Sequence, residues 1–258
     1  MLDADTIVIG SGAGGLTAAL ALARAGEKVL VLEQHSRAGG LCHSFQRGGY
    51  SFSPGVHYLG QLGQGGSLRK IYEGLGVAGD LAFTEMNPLG FEHIRVGDET
   101  FDLPRGKDAM AAAFKKRFPA ETEGIDEYFR LLDTVCREMA CIPETKGFLD
   151  LLTVPFRTLN MGHYGLFSLR RILGDRISDP LLRAFLSIQC GDQGLPPSRL
   201  PFIMHAAVAG HYLDGAYYPV GGAEAIPKAF IAGLRKAGGE LRLSAEVEKI
   251  LIEKKRAV

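Results

Sequence analysis

The chain has 258 residues, 46% of them hydrophobic and 22% charged, with 34 glycines and no tryptophan. That is a globular composition, long enough for one large domain or two small ones. Its 29 basic residues balance 29 acidic ones, which leaves no electrostatic footprint for a nucleic acid or a polyanionic substrate.

The four cysteines, Cys42, Cys136, Cys141 and Cys190, form no C-x-x-C pair and have no zinc-ligand spacing. They read as reduced thiols of a cytoplasmic or cytosol-facing protein, and no metal site is expected. A strand and a glycine loop so close to Met1 argue against a signal peptide. No stretch is both long and apolar enough to span a bilayer; the nearest candidate, Thr6 to Ala23, is broken by glycines.

Thr6 to Ile9 is a short apolar run rich in β-branched residues, the signature of a buried parallel strand. It leads into Gly10-Ser11-Gly12-Ala13-Gly14-Gly15. Leu16 to Ala25 then reads as a helix stopped by Gly26, and Lys28 to Leu32 as a second strand ending on Glu33. Gly10 permits the tight turn, Gly12 lets the backbone approach a pyrophosphate, and Gly15 lets the helix pack on the strand. The helix N-terminus offers N–H groups and a positive dipole end to phosphates. Glu33 stands at about the 20-residue offset of a carboxylate that binds a ribose hydroxyl, which also argues against a 2′-phosphate. The expected fold class is therefore α/β, with a Rossmann-like dinucleotide-binding domain at the front of the chain.

Beyond Glu33, Gln34-His35-Ser36-Arg37-Ala38 reaches the doublet Gly39-Gly40, where a simple NAD domain would proceed to its next helix. Leu41 to Gly60 is again rich in glycine and aromatics, including Phe45, Tyr50, Phe52 and Gly55-Val56-His57-Tyr58. These residues resemble the flavoprotein superfamily of phytoene desaturases, amine oxidases and their relatives. Within it, Leu32 to His35, Ala38 to Gly40 and Gly55 to Tyr58 look most like the retinol saturases and carotenoid isomerases. The resemblance implies FAD as cofactor, bound by Gly10, Gly12, Ala13, Gly14, Gly15, Glu33 and Gln34. It also implies that Gly39 and Gly40 pass close to the ribityl and pyrophosphate, and that Gly55, Val56, His57 and Tyr58 lie against the isoalloxazine.

Further along, Leu62 to Leu81 has a helical pattern, with Leu68, Ile71, Tyr72 and Leu75 on one face. Phe91 to Leu103 reads as two strands around Gly97-Asp98. Lys107 to Phe118 and Glu121 to Met139 read as amphipathic helices separated by Pro119. Phe148 to Phe167 is apolar but interrupted by Pro155, Asn160, Gly162 and Gly165. Core packing is the favoured reading there; a lipid tunnel or a membrane-surface contact is the alternative. Gly191 to Pro197 is a turn-rich break. His205 and His211, six apart with no acidic partner nearby, read as structural rather than metal-binding.

Tyr217 to Ala223 leads into a helix from Glu224 to Ala237, with Ile226, Phe230, Ile231 and Leu234 as its buried stripe, ended by Gly238-Gly239. Glu240 to Leu243 and Val247 to Ile252 read as strands, and the closing Glu253-Lys254-Lys255-Arg256 as a solvated run. Gly191 to Gly222 also looks like the retinol saturase and carotenoid isomerase pattern.

By this resemblance the fold is a glutathione reductase-type FAD-binding domain with an inserted α+β substrate domain, truncated at the C-terminus. FAD-binding segments are expected at 1–80 and, incompletely, at 216–258, with the substrate domain at 81–215 and the backbone of Val247 against the adenine. The implied activity is FAD-dependent oxidoreduction at C=C bonds of a polyene isoprenoid, with an apolar retinoid or carotenoid as substrate. Amine oxidases, phytoene-type desaturases and an inactive FAD-binding fragment are the alternatives. No catalytic residue is assigned. An apolar substrate leaves a peripheral membrane contact open, and no nucleic-acid partner is expected.

Overall fold

Strands β1 (Thr6–Ile9) and β2 (Val29–Leu32) run parallel in the computed structural model, which describes residues 4–142, 147–253 and 256–257. A parallel pair needs a crossover, and α1 (Ala13–Arg24) supplies it. Its buried residues Leu16, Ala19, Leu20 and Ala23 recur at helical spacing. Ala19 and Ala23 pack with Val29, Val31 and Leu234, while Leu16 and Leu20 join Tyr72, Ile226 and Phe230.

β1 is not buried on both faces as expected: Ile7 and Ile9 are 57% and 53% exposed. The sheet order places β1 at an edge, and among the described residues nothing covers its outer face. Only one side of the strand therefore alternates into the core.

After β2, strands β3 (Phe45–Arg47) and β4 (Tyr50–Phe52) form a hairpin turned by Gly48-Gly49, with Phe45 stacked on Phe52. The helix expected over Leu62 to Leu81 is shorter: α2 covers Ser67–Gly74. Gly65 and Gly76, both in left-handed conformations, bound it on either side. Tyr72 is buried and Leu68 and Leu75 pack against the same cluster, but Ile71 faces out. Strand β5 (Phe83–Glu85) follows.

Residues Met86–Ala216 make a separate unit with its own core. Its hairpin, β6 (Glu92–Val96) and β7 (Glu99–Leu103), turns at Gly97-Asp98. Phe101 of β7 stacks on Phe114 of α3 (Lys107–Arg117), with ring centroids 4.3 Å apart. A short 3-10 turn at Pro119–Glu121 leads into α4 (Thr122–Ala140), which buries Ile125, Tyr128, Phe129, Leu132 and Val135. Helices α5 (Phe148–Arg157), α6 (Leu159–Tyr164), α7 (Leu169–Gly174), α8 (Pro180–Leu186), α9 (Cys190–Gln193) and α10 (Phe202–Tyr212) complete the unit.

Local chemistry fixes where these helices begin. The Asp179 carboxylate accepts the N–H groups of Leu181 and Leu182, with Pro180 in the first helical turn of α8. The Glu121 carboxylate, nearly buried, accepts the N–H groups of Ser178 and Asp179. The Ser178 hydroxyl bond, foremost, and these N–H groups hold its pKa below the usual carboxylate value.

The segment from Phe148 to Phe167 departs from the core reading. Pro155 sits inside α5 rather than ending it. Leu151, Leu152 and Phe156 of α5, with Leu159 and Leu166, are all more than half exposed. Apolar residues are buried only where an opposing surface exists. Here the anchoring contacts are polar: the Glu138 carboxylate accepts the N–H groups of Asn160 and Met161.

The chain returns through β8 (Tyr217–Pro219), antiparallel to β5, then α11 (Ala225–Lys236) and β9 (Glu240–Arg242). β9 pairs parallel with β2, Leu30 opposite Glu240 and Leu32 opposite Arg242. Ile226, Phe230 and Leu234 form the buried stripe of α11, whereas Ile231 is half-buried. Met1–Glu85 and Tyr217–Val258 together form the second compact unit.

The strand expected over Val247 to Ile252 does not form. Ser244, in a left-handed conformation, turns the chain out of the sheet after β9. Only Ile252–Glu253 pairs, antiparallel to Arg256–Ala257. Ile250, Leu251 and Ile252 are exposed, so a β-branched pattern without a ladder partner stays irregular. Lys254 and Lys255 of the closing charged run lie outside the described residues.

Candidate functional site

The glycine-rich turn joins the end of β1 to the start of α1. Gly12 is the N-cap, no side chain caps it, and the first turn of α1 carries no acid. The first intrahelical bond runs from the Leu16 N–H to the Gly12 carbonyl, 2.9 Å. The N–H groups of Ala13, Gly14 and Gly15 thus precede the helical ladder, and the positive end of the helix is not neutralised by its own residues.

The glycines of this turn fall into two sets. A Cβ built on Gly10, Gly12 or Gly14 meets nothing within 4 Å. One on Gly15 would stand 2.1 Å from the Gly10 carbonyl oxygen. Gly15 is therefore a packing residue, while the other three leave an open face on the turn.

Glu33, at the end of β2, points back at this turn and is nearly buried. Its Oε2 accepts the Ser11 N–H at 2.8 Å and the Ser11 hydroxyl at 2.6 Å; its Oε1 accepts the His35 N–H at 2.8 Å. Burial pushes the carboxyl pKa up, but the bonds from Ser11 and His35 outweigh it and the net shift is downward. The group is an anion at neutral pH, and Oε1, with one donor, keeps acceptor capacity. Gln34 is exposed beside it.

Gly39 and Gly40 lie against the first turn. Gly12 and Gly39 form a parallel bridge, and the Gly39 N–H donates to the Ser11 carbonyl at 3.0 Å. Both glycines have positive φ; a Cβ would stand 2.9 Å from the Pro227 ring at Gly39 and 2.9 Å from the Gly12 Cα at Gly40. Gly40 is thus required by close contact with the first turn, and Gly39 by the Pro227 ring packed against it. Sequence reading missed Ser11, which is fully buried and ties the turn, Glu33 and Gly39 together. A serine at the variable position of the motif, with an acid at the ribose-binding offset, is the available signal.

Gly55, Val56, His57 and Tyr58 form an irregular stretch with bends at Gly55 and His57. A Cβ on Gly55 would meet Leu41 at 2.8 Å. The His57 and Tyr58 rings pack edge to face at 4.6 Å. Leu59 exchanges two backbone hydrogen bonds with Tyr217, which ties the stretch to β8. Val247 is half-buried on the irregular segment after β9, whose course is set by the Ala245 N–H donating to the Glu33 carbonyl at 2.9 Å.

His205 and His211 share α10 but not a site. His205 is fully buried, with Nε2 2.7 Å from the Tyr128 hydroxyl and, among the described residues, no partner for Nδ1. Burial lowers its pKa to about 4. Among the described residues no group of three or more His, Cys, Asp or Glu is placed to hold a metal.

Residues 8–75 match the NAD(P)-binding Rossmann-like domain family. The chain is 36% identical to the all-trans-retinol 13,14-reductase of Danio rerio, over 97% of this chain and 43% of that protein. It is 30% identical to the chloroplastic prolycopene isomerase 1 of an Oncidium hybrid cultivar, over 98% of this chain and 45% of that protein. Over nearly its whole length the sequence is thus similar to the front part of retinol 13,14-reductases and prolycopene isomerases. It spans less than half the length of these curated relatives. A solved putrescine oxidase matches 94% of the chain at a TM-score of 0.62 with 19% identity, a likeness of fold.

Proposed function

We propose that this chain carries the cofactor site of an FAD-dependent oxidoreductase acting on carbon–carbon double bonds of a polyene isoprenoid. The observation that carries the cofactor reading is the open glycine face beneath an unneutralised helix N-terminus, with the Glu33 anion held at the end of the neighbouring strand. The substrate class rests on the retinol and prolycopene named for the relatives.

The residues present fit the group. Gly12, Ala13, Gly14 and Gly15 would hold the pyrophosphate through backbone N–H groups, Gly10, whose N–H is taken by the Leu32 carbonyl, would shape the turn beneath it, and Glu33 with Gln34 would hold the adenosine ribose. The backbone of Val247 would meet the adenine. Gly39, Gly40, Gly55, Val56, His57 and Tyr58 would face the ribityl and flavin end. Bound FAD supplies hydride transfer; the protein's share is orientation, an anionic clasp for the ribose and exclusion of water.

In this reading the inserted unit Met86–Ala216 is the substrate domain. Its exposed Leu151, Leu152 and Phe156 would rest on a bilayer surface from which an apolar substrate is drawn. No helix among the described residues is long and apolar enough to cross a membrane. In a liposome flotation assay the protein should rise with the vesicles, and a Leu152→Glu/Phe156→Glu variant should stay below. Equal flotation of the two, or none, would remove the membrane contact.

The substrate class is tested by titrating the FAD-loaded protein with all-trans-retinol, prolycopene and putrescine while following the flavin absorption bands. A saturable perturbation by one of the polyenes and none by putrescine is expected. The reverse pattern would move the assignment to an amine oxidase.

A further inference from the structure

α11 has a second face. Its buried stripe points into the core, but Lys228, Ile231, Ala232 and Arg235, also spaced at about one helical turn, line a cavity of about 680 Å³. The other walls are the segment after Glu33, including Arg37, and the side chains of Leu241 and Leu243 at the end of β9. None of Gly10, Gly12, Gly14, Gly15 or Glu33 lines it, so it is not the face of the glycine turn.

The cavity is divided chemically. Pro227, Ile231, Ala232, Leu241 and Leu243 make an apolar wall. Arg37, Lys228 and Arg235 place three cations around it, against the single carboxylate of Glu224. That carboxylate is taken up by Lys228, 2.7 Å away. Arg37 is held by donating from Nη1 to the Ser44 carbonyl at 2.6 Å, which fixes its guanidinium without neutralising it. Arg235 pairs with no carboxylate among the described residues. The whole chain is charge-balanced, so this excess of positive charge is local.

We propose that this cavity binds an amphiphilic anion, a phosphate or carboxylate head on an alkyl or prenyl chain. The head would sit between the Arg37 and Arg235 guanidinium groups, whose forked donors suit such oxygens. The tail would cover the Ile231, Leu241 and Leu243 wall. A free inorganic anion would leave that wall wet, and a neutral lipid would leave the cations unanswered. The volume is in the range of small-molecule sites. The inference does not rest on the FAD reading.

The test is calorimetric titration of the protein, alone and with saturating FAD, with dodecyl phosphate below its micelle concentration, beside inorganic phosphate and dodecanol. Dodecyl phosphate should bind about tenfold or more tightly than either, and Arg235→Glu should weaken it about tenfold or more while FAD binding is unchanged. Inorganic phosphate binding as well as dodecyl phosphate, or an Arg235→Glu variant that binds normally, would overturn the proposal. So would loss of dodecyl phosphate binding on saturation with FAD, since the cavity would then belong to the dinucleotide site. Vesicles containing phosphatidic acid identify the source. Capture sensitive to Arg235→Glu supports a bilayer lipid, and binding of the soluble amphiphile without capture supports a free one.

Discussion

Replacing Gly15 by alanine should destabilise the sheet-bearing unit by about 2–3 kcal/mol, the cost of overpacking a site that cannot yield. The new methyl would lie 2.1 Å from the Gly10 carbonyl oxygen. That oxygen belongs to backbone held at both ends, since the Gly10 N–H donates to the Leu32 carbonyl at 2.8 Å and Gly15 sits in the first turn of α1. Relief requires either β1 or α1 to move, and α1 is clamped between the sheet and α11 by Ala19, Ala23, Leu16 and Leu20. The movement would also open the turn, so FAD affinity should fall with stability. Gly14→Ala is the matched control. Its Cβ meets open space in a helical conformation, so the variant should gain about 0.4–1 kcal/mol from reduced freedom of the unfolded chain. Urea unfolding of both variants checks the pair. A Gly15→Ala protein as stable as the parent would mean that this helix–strand contact is not what the glycine serves.

Acid should weaken the helical unit before it weakens the carboxylate network, because His205 is buried neutral. Its pKa is about 4 in the fold against an ordinary 6.5. The unfolded chain therefore takes up a proton first as pH falls. The stability owed to the neutral ring is whole above pH 6.5 and is lost progressively between 6.5 and 4, about 3 kcal/mol in all. Glu33 and Glu121 act in a lower window. Their folded pKa values are depressed below 4.5, so their contributions are present above that value and vanish as pH falls through the folded ones. Urea unfolding at pH 7.5 and pH 5 should show the loss in the parent. In His205→Leu/Tyr128→Phe, where both members of the buried pair become apolar, the loss over this range should disappear. A parent with flat stability from pH 7.5 to 5, or a double variant with the same slope, would contradict the assignment.

The part of the site that is local in sequence is the part that was legible. Strand, glycine turn, helix, strand and acid follow one another within 28 residues, Thr6 to Glu33, and each is set by short-range chemistry: β-branched residues, helix periodicity and Gly26 at the helix end. Long-range pairing was not legible. Val247 to Ile252 has the composition of a strand, but a strand exists only with a partner, and Ser244 turns the chain away first. The same limit explains Leu151 and Phe156, whose apolar pattern is real but meets no opposing surface among the described residues. The closeness of Gly39-Gly40 to Gly12 shows a third kind of limit. The doublet's most immediate neighbours are the Pro227 ring at Gly39 and the backbone of the first turn at Gly40, with Ser11 tying Gly39 to that turn. Sequence marks that a glycine is needed; only packing says what it approaches.

The most direct test of the FAD assignment is an absorbance titration of the purified protein with FAD, run beside a Gly12→Val variant. Gly12 has ordinary extended backbone angles and open space where a Cβ would stand, so valine should leave the free protein folded and intrude only on a ligand over the turn. The parent is predicted to hold flavin, with shifted absorption bands that saturate, and Gly12→Val to lose it while its unfolding curve stays unchanged. A folded parent that binds no flavin, or a Gly12→Val variant that binds it equally well, would contradict the assignment of this turn as the FAD site.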